Sequence, residues 1–147
     1  MNHKDTFKNR NKIGLAEQKC VEYLKENNII FTRYGFDALF DISWDKFNMI
    51  PPVLRNTPDY MVLHSSAILL EAKGCHDILR LKQLDMVSYD WWNDICPLKL
   101  FLYSTKFNEN KIIEYKKLKD IAITCKTDIY PENKKVYYKI QWGDIDI

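Results

Sequence analysis

The stretch that most constrains this chain is Ala67-Ile68-Leu69-Leu70-Glu71-Ala72-Lys73-Gly74. Its first four residues are apolar without alternation. A strand of that kind has no solvent face, so it belongs at the middle of a sheet covered on both sides. A chain built around it must supply flanking strands, and helices for both faces. The 147 residues suffice for one such domain, and 46% of them are apolar, enough for a core without a disulfide or metal staple. The expected organisation is a basic arm over residues 1–12 and a single domain over residues 13–147.

The rest of the chain supplies the partners. From Ile13 onward, Ile13, Glu17, Cys20, Val21 and Leu24 fall on one helical face, and Gln18, Glu22, Lys25 and Glu26 on the other. Asn27-Asn28 ends this helix, and the β-branched and aromatic residues 29–34 read as a strand. Residues 35–57, with Gly35, Pro51 and Pro52, read as a long connection or hairpin with a short strand near residues 39–42. A connection of this length in a small domain usually serves function or a partner. Tyr60-Met61-Val62-Leu63, a polar turn at 64–66 and residues 67–70 form an antiparallel hairpin. Asp77 is placed to cap a helix over residues 78–93, with Leu81, Leu84, Ser88 and Trp91 along one side and Trp92 adjoining. Residues 98–103, after Pro97, form another buried strand, so strand, helix and strand imply a right-handed parallel crossover. Residues 104–147 are expected to add strands at 112–115 and 136–142 and a short helix or turn. The sum is an α/β fold with a mixed central sheet flanked by helices.

Composition excludes several function classes. The net charge of +2, from 22 basic and 20 acidic residues, is neither a polybasic coat nor an acidic tail. Basic residues gather locally, with six lysines against three acids over residues 106–126. With four glycines and no GxGxxG or Walker pattern, a nucleotide-cradling loop is not expected. Cys20, Cys75, Cys96 and Cys125 form no CxxC pair and read as free thiols of a reducing compartment, so a cytoplasmic setting is expected. No run approaches the roughly 18–20 apolar residues of a membrane span, and Met1 to Lys12 has no apolar signal region.

The charged end of the central strand is the anomaly. Alternation puts Glu71 and Lys73 on one face and Ala72 on the other. A carboxylate and an ammonium on a buried strand are costly unless compensated. Asp59 opens the preceding strand behind Pro58, and in a hairpin the start of one strand lies beside the end of the next, so Asp59 meets Glu71. Glu17, on the apolar stripe of the first helix, needs a partner too and can reach the same end of the sheet. Three acids and a lysine without a His or Cys cluster suit a hard cation, Mg²⁺ with Mn²⁺ as a substitute, shared with phosphate oxygens. Lys73 is the group to orient or deprotonate a water or to offset developing charge.

Pro58-Asp59 and Glu71-Ala72-Lys73 resemble the two halves of the motif of the PD-(D/E)xK nuclease superfamily. The resemblance spans about residues 13–103, the α-β-β-β-α-β restriction-endonuclease-like core. Gly14-Leu15 ahead of Glu17, Thr57-Pro58-Asp59-Tyr60 and Glu-x-Lys-Gly at 71–74 look most like phage endonuclease I, a Holliday-junction resolvase. The resemblance implies a Mg²⁺-dependent endodeoxyribonuclease. It would use Asp59, Glu71 and the Ala72 carbonyl as metal ligands, Lys73 at the attacking water, and Glu17 completing the site at a second metal. The cytoplasm would be the host's if the source is viral. Two departures stand out. Ala16 separates Gly14-Leu15 from Glu17, and Gln83 is followed at the expected tyrosine spacing by Val87, with Tyr89 two residues later.

Secondary candidates are Gln83 and His76 as phosphate or DNA contacts and Lys116, Lys117 and Lys119 as a backbone-tracking face, alongside Lys111 and Lys126. Each is also read as an ordinary solvated residue. Trp44, Phe47 and Met49 would stack on unpaired bases or pack an interface; Trp91 and Trp92 read as core. A chain little larger than the nuclease core favours structure-selective cutting of branched or nicked DNA, and a homodimer if two strands are cut. The alternatives are a non-specific or damage-linked monomeric endonuclease, and a catalytically silent nuclease fold used as a DNA-binding or inhibitory protein.

Overall fold

The computed structural model describes residues 14–35, 43–63 and 65–147, with Trp44 by its backbone alone. The expected arm, Ile13, and the short strand near residues 39–42 lie outside the described residues. The elements are α1 (Leu15–Glu26), β1 (Ile30–Arg33), α2 (Trp44–Met49), α3 (Pro52–Arg55), β2 (Tyr60–Leu63), β3 (Ala67–Cys75), β4 (Ile78–Lys82), α4 (Gln83–Ile95), β5 (Leu98–Ser104), β6 (Glu109–Glu114), α5 (Tyr115–Ala122), β7 (Thr127–Ile129) and β8 (Val136–Gln141), then a 3-10 turn at Trp142–Asp144.

The chain is a mixed α/β fold. Five strands form one sheet in the order β1-β2-β3-β5-β6, and β4, β8 and β7 form a second. β3 takes the middle, antiparallel to β2 with Met61 opposite Leu69, and parallel to β5 with Leu69 opposite Leu98. Its unbroken apolar run is thereby explained, since each face meets its own core. Leu69 packs with Leu100, Met86, Tyr89 and Trp92 on the α4 and α5 side, and Leu70 and Ala72 pack with Cys20, Leu24 and Phe101 on the α1 side. The helical stripe of α1 points as its spacing requires, with Cys20 and Leu24 buried and Glu17 half-buried beside them. Asn28 follows at φ 55, a left-handed turn that asparagine tolerates and that ends the helix.

Residues 78–93 do not form one helix. Residues 78–82 are β4, and α4 begins at Gln83. The reason is a period of two: Leu79 and Leu81 are buried while Arg80 is exposed, and β8 offers Ile140 and Tyr138 as their partners. Asp77 caps no helix. Its carbonyl accepts from the Trp142 N–H, and its carboxylate pairs with Lys106 at 3.4 Å. The later start places Met86, Ser88, Tyr89 and Trp92 inside, whereas Leu84 and Trp91, assigned to the inner side or core from sequence, are 59% and 48% exposed.

The connection at 35–57 contains two short helices. α3 is held to α4 by Trp92 Nε1 donating to the Val53 carbonyl at 2.9 Å and Asn56 Nδ2 donating to Ser88 Oγ at 3.1 Å. Phe47 is half-buried and Met49 exposed. The four cysteines are free thiols. Among the described residues no helix is long and apolar enough to cross a membrane.

Candidate active site

Hairpin register builds the site. Tyr60 lies opposite Leu70, so Asp59, one residue before β2, comes beside Glu71. The Asp59 backbone is pinned from the other side: its carbonyl accepts from the N–H groups of Tyr34 at 2.9 Å and Gly35 at 3.3 Å. Only glycine fits at 35, because a Cβ there would stand 2.8 Å from the Thr57 carbonyl oxygen and 2.9 Å from that of Pro58. The Asp59 side chain is nearly sealed from solvent, and Oδ2 accepts from the Ala72 N–H at 2.9 Å. A second close approach brings in α1: a Cβ at Gly74 would lie 3.2 Å from that of Ala16, so the helix that carries Glu17 lies tight against the end of β3.

The structure gathers Asp59, Glu71, Lys73 and Glu17 into one ionic cluster and adds three residues that sequence reasoning missed. Arg33, at the end of β1, places Nη1 3.1 Å from Glu17 Oε2 and 3.2 Å from the Tyr60 hydroxyl, and Nη2 3.6 Å from Asp59 Oδ1. Glu17 thus reaches the pair of acids through a guanidinium. Asp85, in the first turn of α4, stands 3.6 Å from Lys73 Nζ, which also lies 5.7 Å above the Tyr89 ring centre. Arg33 had a sequence signal: it shares the inner face of β1 with Phe31, an unusual place for a charge. Asp85 and Tyr89 did not, because a helix begun at residue 78 puts them in the wrong turn.

Burial sets the protonation of the site. Glu71 is pushed well above the usual carboxylate range by burial, and next by the neighbouring Asp59 charge. Asp59 also rises, because burial outweighs the Ala72 N–H and the Arg33 charge. Lys73 is raised as well: burial pulls it down, but Asp85, Glu71 and Asp59 more than offset that, and it stays cationic. Behind the pair, burial pushes the Cys20 thiol up to about 12, so it is no nucleophile. The Glu71 oxygen Oε2 is buried and has no hydrogen-bond partner. Such an acceptor lacks a donor or a cation.

The donor set suits Mg²⁺ or Mn²⁺. Two adjacent carboxylates and the Ala72 carbonyl within β3 are hard oxygen ligands, and Mg²⁺ commonly takes one or two protein carboxylates and fills its shell with water and phosphate. Among the described residues no three His, Cys, Asp or Glu side chains form a ready-made cage. A groove of about 350 Å³ runs beside the site, lined by Glu17, Ala72, Gly74, Cys75 and Tyr103 among others.

The secondary candidates lie outside this cluster. His76 is exposed past the end of β3, its Nδ1 3.1 Å from Thr105 Oγ1. Gln83 is exposed at the first position of α4, two residues from Asp85. Lys116 and Lys117 are exposed on α5, while Lys119 is bonded to Asp90 at 2.9 and 3.0 Å. Comparison of the chain with protein-family models and with curated proteins finds no match.

Proposed function

We propose that this protein is a metal-dependent endodeoxyribonuclease with a restriction-endonuclease-like core, hydrolysing phosphodiester bonds in branched or nicked DNA in the manner of a Holliday-junction resolvase. The observation that carries the reading is the buried Asp59–Glu71 pair, with an unsatisfied oxygen on Glu71 and a charged Lys73 on the same strand face. Order along the chain supports it, since α1, β1, β2, β3, α4 and β5 occur in that sequence, with α2 and α3 inserted between β1 and β2 and β4 between β3 and α4.

In this reading Asp59, Glu71 and the Ala72 carbonyl hold Mg²⁺ or Mn²⁺. The metal, when bound, polarises the phosphoryl oxygen and acidifies water. Lys73 acts as a cation: it orients the attacking water and offsets charge on the phosphorane-like transition state, while Asp85 and the Tyr89 ring fix its position. Arg33 holds Asp59 in place and keeps Glu17 within reach of the site. The setting is the cytoplasm, the host's if the source is viral.

Cutting both strands of a junction calls for two sites, and a homodimer supplies them. Leu84, Val87, Trp91 and Ile95 support that assembly, since they form an apolar stripe along the outer side of α4, each about half exposed or more.

The test is supercoiled plasmid with and without Mg²⁺, followed by a four-way junction against a linear duplex of the same sequence. Mg²⁺-dependent relaxation with faster junction cutting supports the proposal. Equal cutting of junction and duplex turns it into a non-specific nuclease. DNA binding without cutting in any divalent metal turns it into a silent nuclease fold.

A further inference from the structure

We propose that the outer face of the β4–β8–β7 sheet is a docking surface for the backbone of duplex DNA. This rests on the nuclease reading and names the surface that presents the substrate. The face is set by strand alternation. Leu79, Leu81 and Ile140 are buried in the core, so Arg80 and Lys82, with their cross-strand partners Lys139 and Tyr137, turn the other way. Asp128 of β7 lies opposite Tyr137 on the same face.

The charges there are held on aromatic rings. The Arg80 guanidinium lies 5.4 Å from the centre of the Tyr137 ring and 6.0 Å from that of Tyr130. Lys82 Nζ lies 5.4 Å from the Tyr130 centre, and the two rings are 4.3 Å apart. A ring face attracts a cation without cancelling its charge and fixes an otherwise floppy side chain, so the ordering cost of a phosphate contact is met in advance. Among the described residues Arg80 has no acidic partner, and of the six residues only Asp128 is acidic, 3.8 Å from Lys139. Among these six described residues, three cations against one acid sum to +2.

Charge complementarity explains why such a face is wanted. The active-site cluster holds Glu17, Asp59, Glu71 and Asp85 against Arg33 and Lys73, a formal −2 that repels a polyanion. A cationic shelf nearby offsets the repulsion. Lys82 is three residues from Asp85, so their backbones are at most about 11 Å apart. The ligand is duplex rather than single strand because both rings are already engaged: Tyr137 is only 6% exposed, and the half-buried Tyr130 ring stacks near Tyr137 and carries Arg80 and Lys82, so neither ring is free to stack a splayed base.

The test is fluorescence anisotropy of the full chain with labelled duplex in EDTA, where nothing is cut, over a range of salt. Arg80→Ala/Lys82→Ala is expected to weaken duplex binding about tenfold or more and to lower the slope of log affinity against log salt by about two contacts. Lys116→Ala/Lys117→Ala, which removes the same charge from α5, should weaken binding less. Tyr130→Leu should weaken binding without changing the salt slope, because it removes the seat and not the charge. Arg80→Lys should recover part of the Arg80→Ala loss. Circular dichroism of each variant checks folding. If the wild type binds and the Arg80→Ala/Lys82→Ala variant binds equally well, or the two double variants cost the same, the docking surface is wrong and the nuclease reading stands. If loss appears only with single-stranded DNA, the duplex assignment is wrong. If the wild type neither binds DNA nor cuts plasmid, the nuclease reading itself falls.

Discussion

Two ionic clusters of this molecule invite comparison. On the surface, Asp90 accepts from Tyr115 Oη at 2.7 Å and from Lys119 Nζ at 2.9 and 3.0 Å, tying α5 to α4. One acid meets one base, both side chains about 40% exposed, and every oxygen in the contact has a donor. At the hairpin end, four acids face two bases, Asp59 is nearly sealed from solvent beside the half-buried Glu71, and the buried Oε2 of Glu71 has no hydrogen-bond partner. The first cluster is a clasp whose contribution is small and complete in itself. The second is unfavourable as it stands, because buried like charges without full compensation destabilise a fold. In the reading proposed above, such an incomplete cluster is completed from outside, and a divalent cation with a phosphate would meet its charge and its chemistry.

Substitutions separate the two. The largest effect is expected for Asp59→Asn, which keeps an acceptor for the Ala72 N–H but removes a ligand charge. Plasmid cleavage should fall by about 10³-fold or more, while Asp90→Asn stays within about twofold of wild type. Lys73→Ala should lose about 10²–10³-fold in single-turnover rate with DNA binding retained, since the ammonium serves the transition state more than the ground state. A loss confined to binding would make Lys73 a phosphate clamp. Gly35→Ala should destabilise by about 1–3 kcal/mol and slow cleavage, because the backbone that fixes Asp59 must move. Chemical denaturation followed by tryptophan fluorescence measures the first part.

The sharpest contrast is in sign. Without metal, Glu71→Gln should raise stability by about 1–2 kcal/mol, since it removes a buried charge beside another acid. Asp90→Asn should lower it by up to about 1 kcal/mol. The pH dependence follows the same logic. The folded protein holds the Glu71 proton more tightly than the unfolded chain does. That stabilisation is complete below the ordinary glutamate value of 4.5 and is lost as pH rises through the raised folded value. The slope of melting temperature against pH in EDTA should therefore flatten in Glu71→Gln and be unchanged in Asp90→Asn.

The sequence made the hairpin legible because its signals are local: two short apolar runs, a three-residue polar turn between them and a proline before Asp59. That was enough to bring Asp59, Glu71 and Lys73 together and to place Glu17 on the buried stripe. It was not enough for residues 78–82. Leu79 and Leu81 suit a helix as well as a strand, and only pairing with β8, nearly sixty residues on, decides between them. The same error hid Asp85 and turned Leu84 and Trp91 inward. Arg33 carried a local signal, a charge on the inner face of β1 beside Phe31, but its partners lie on α1 and before β2, and no local pattern encodes those contacts.

The most direct test of the central claim is single-turnover cleavage of a supercoiled plasmid in 10 mM-scale Mg²⁺ by wild type, Glu71→Gln and Asp90→Asn at one protein concentration, about tenfold over DNA. The expected result is Mg²⁺-dependent nicking by wild type and Asp90→Asn at matching rates and none above background by Glu71→Gln, although that variant melts higher. Cutting by Glu71→Gln at the wild-type rate would contradict the account, because the buried pair would then be no more than a second, badly balanced clasp.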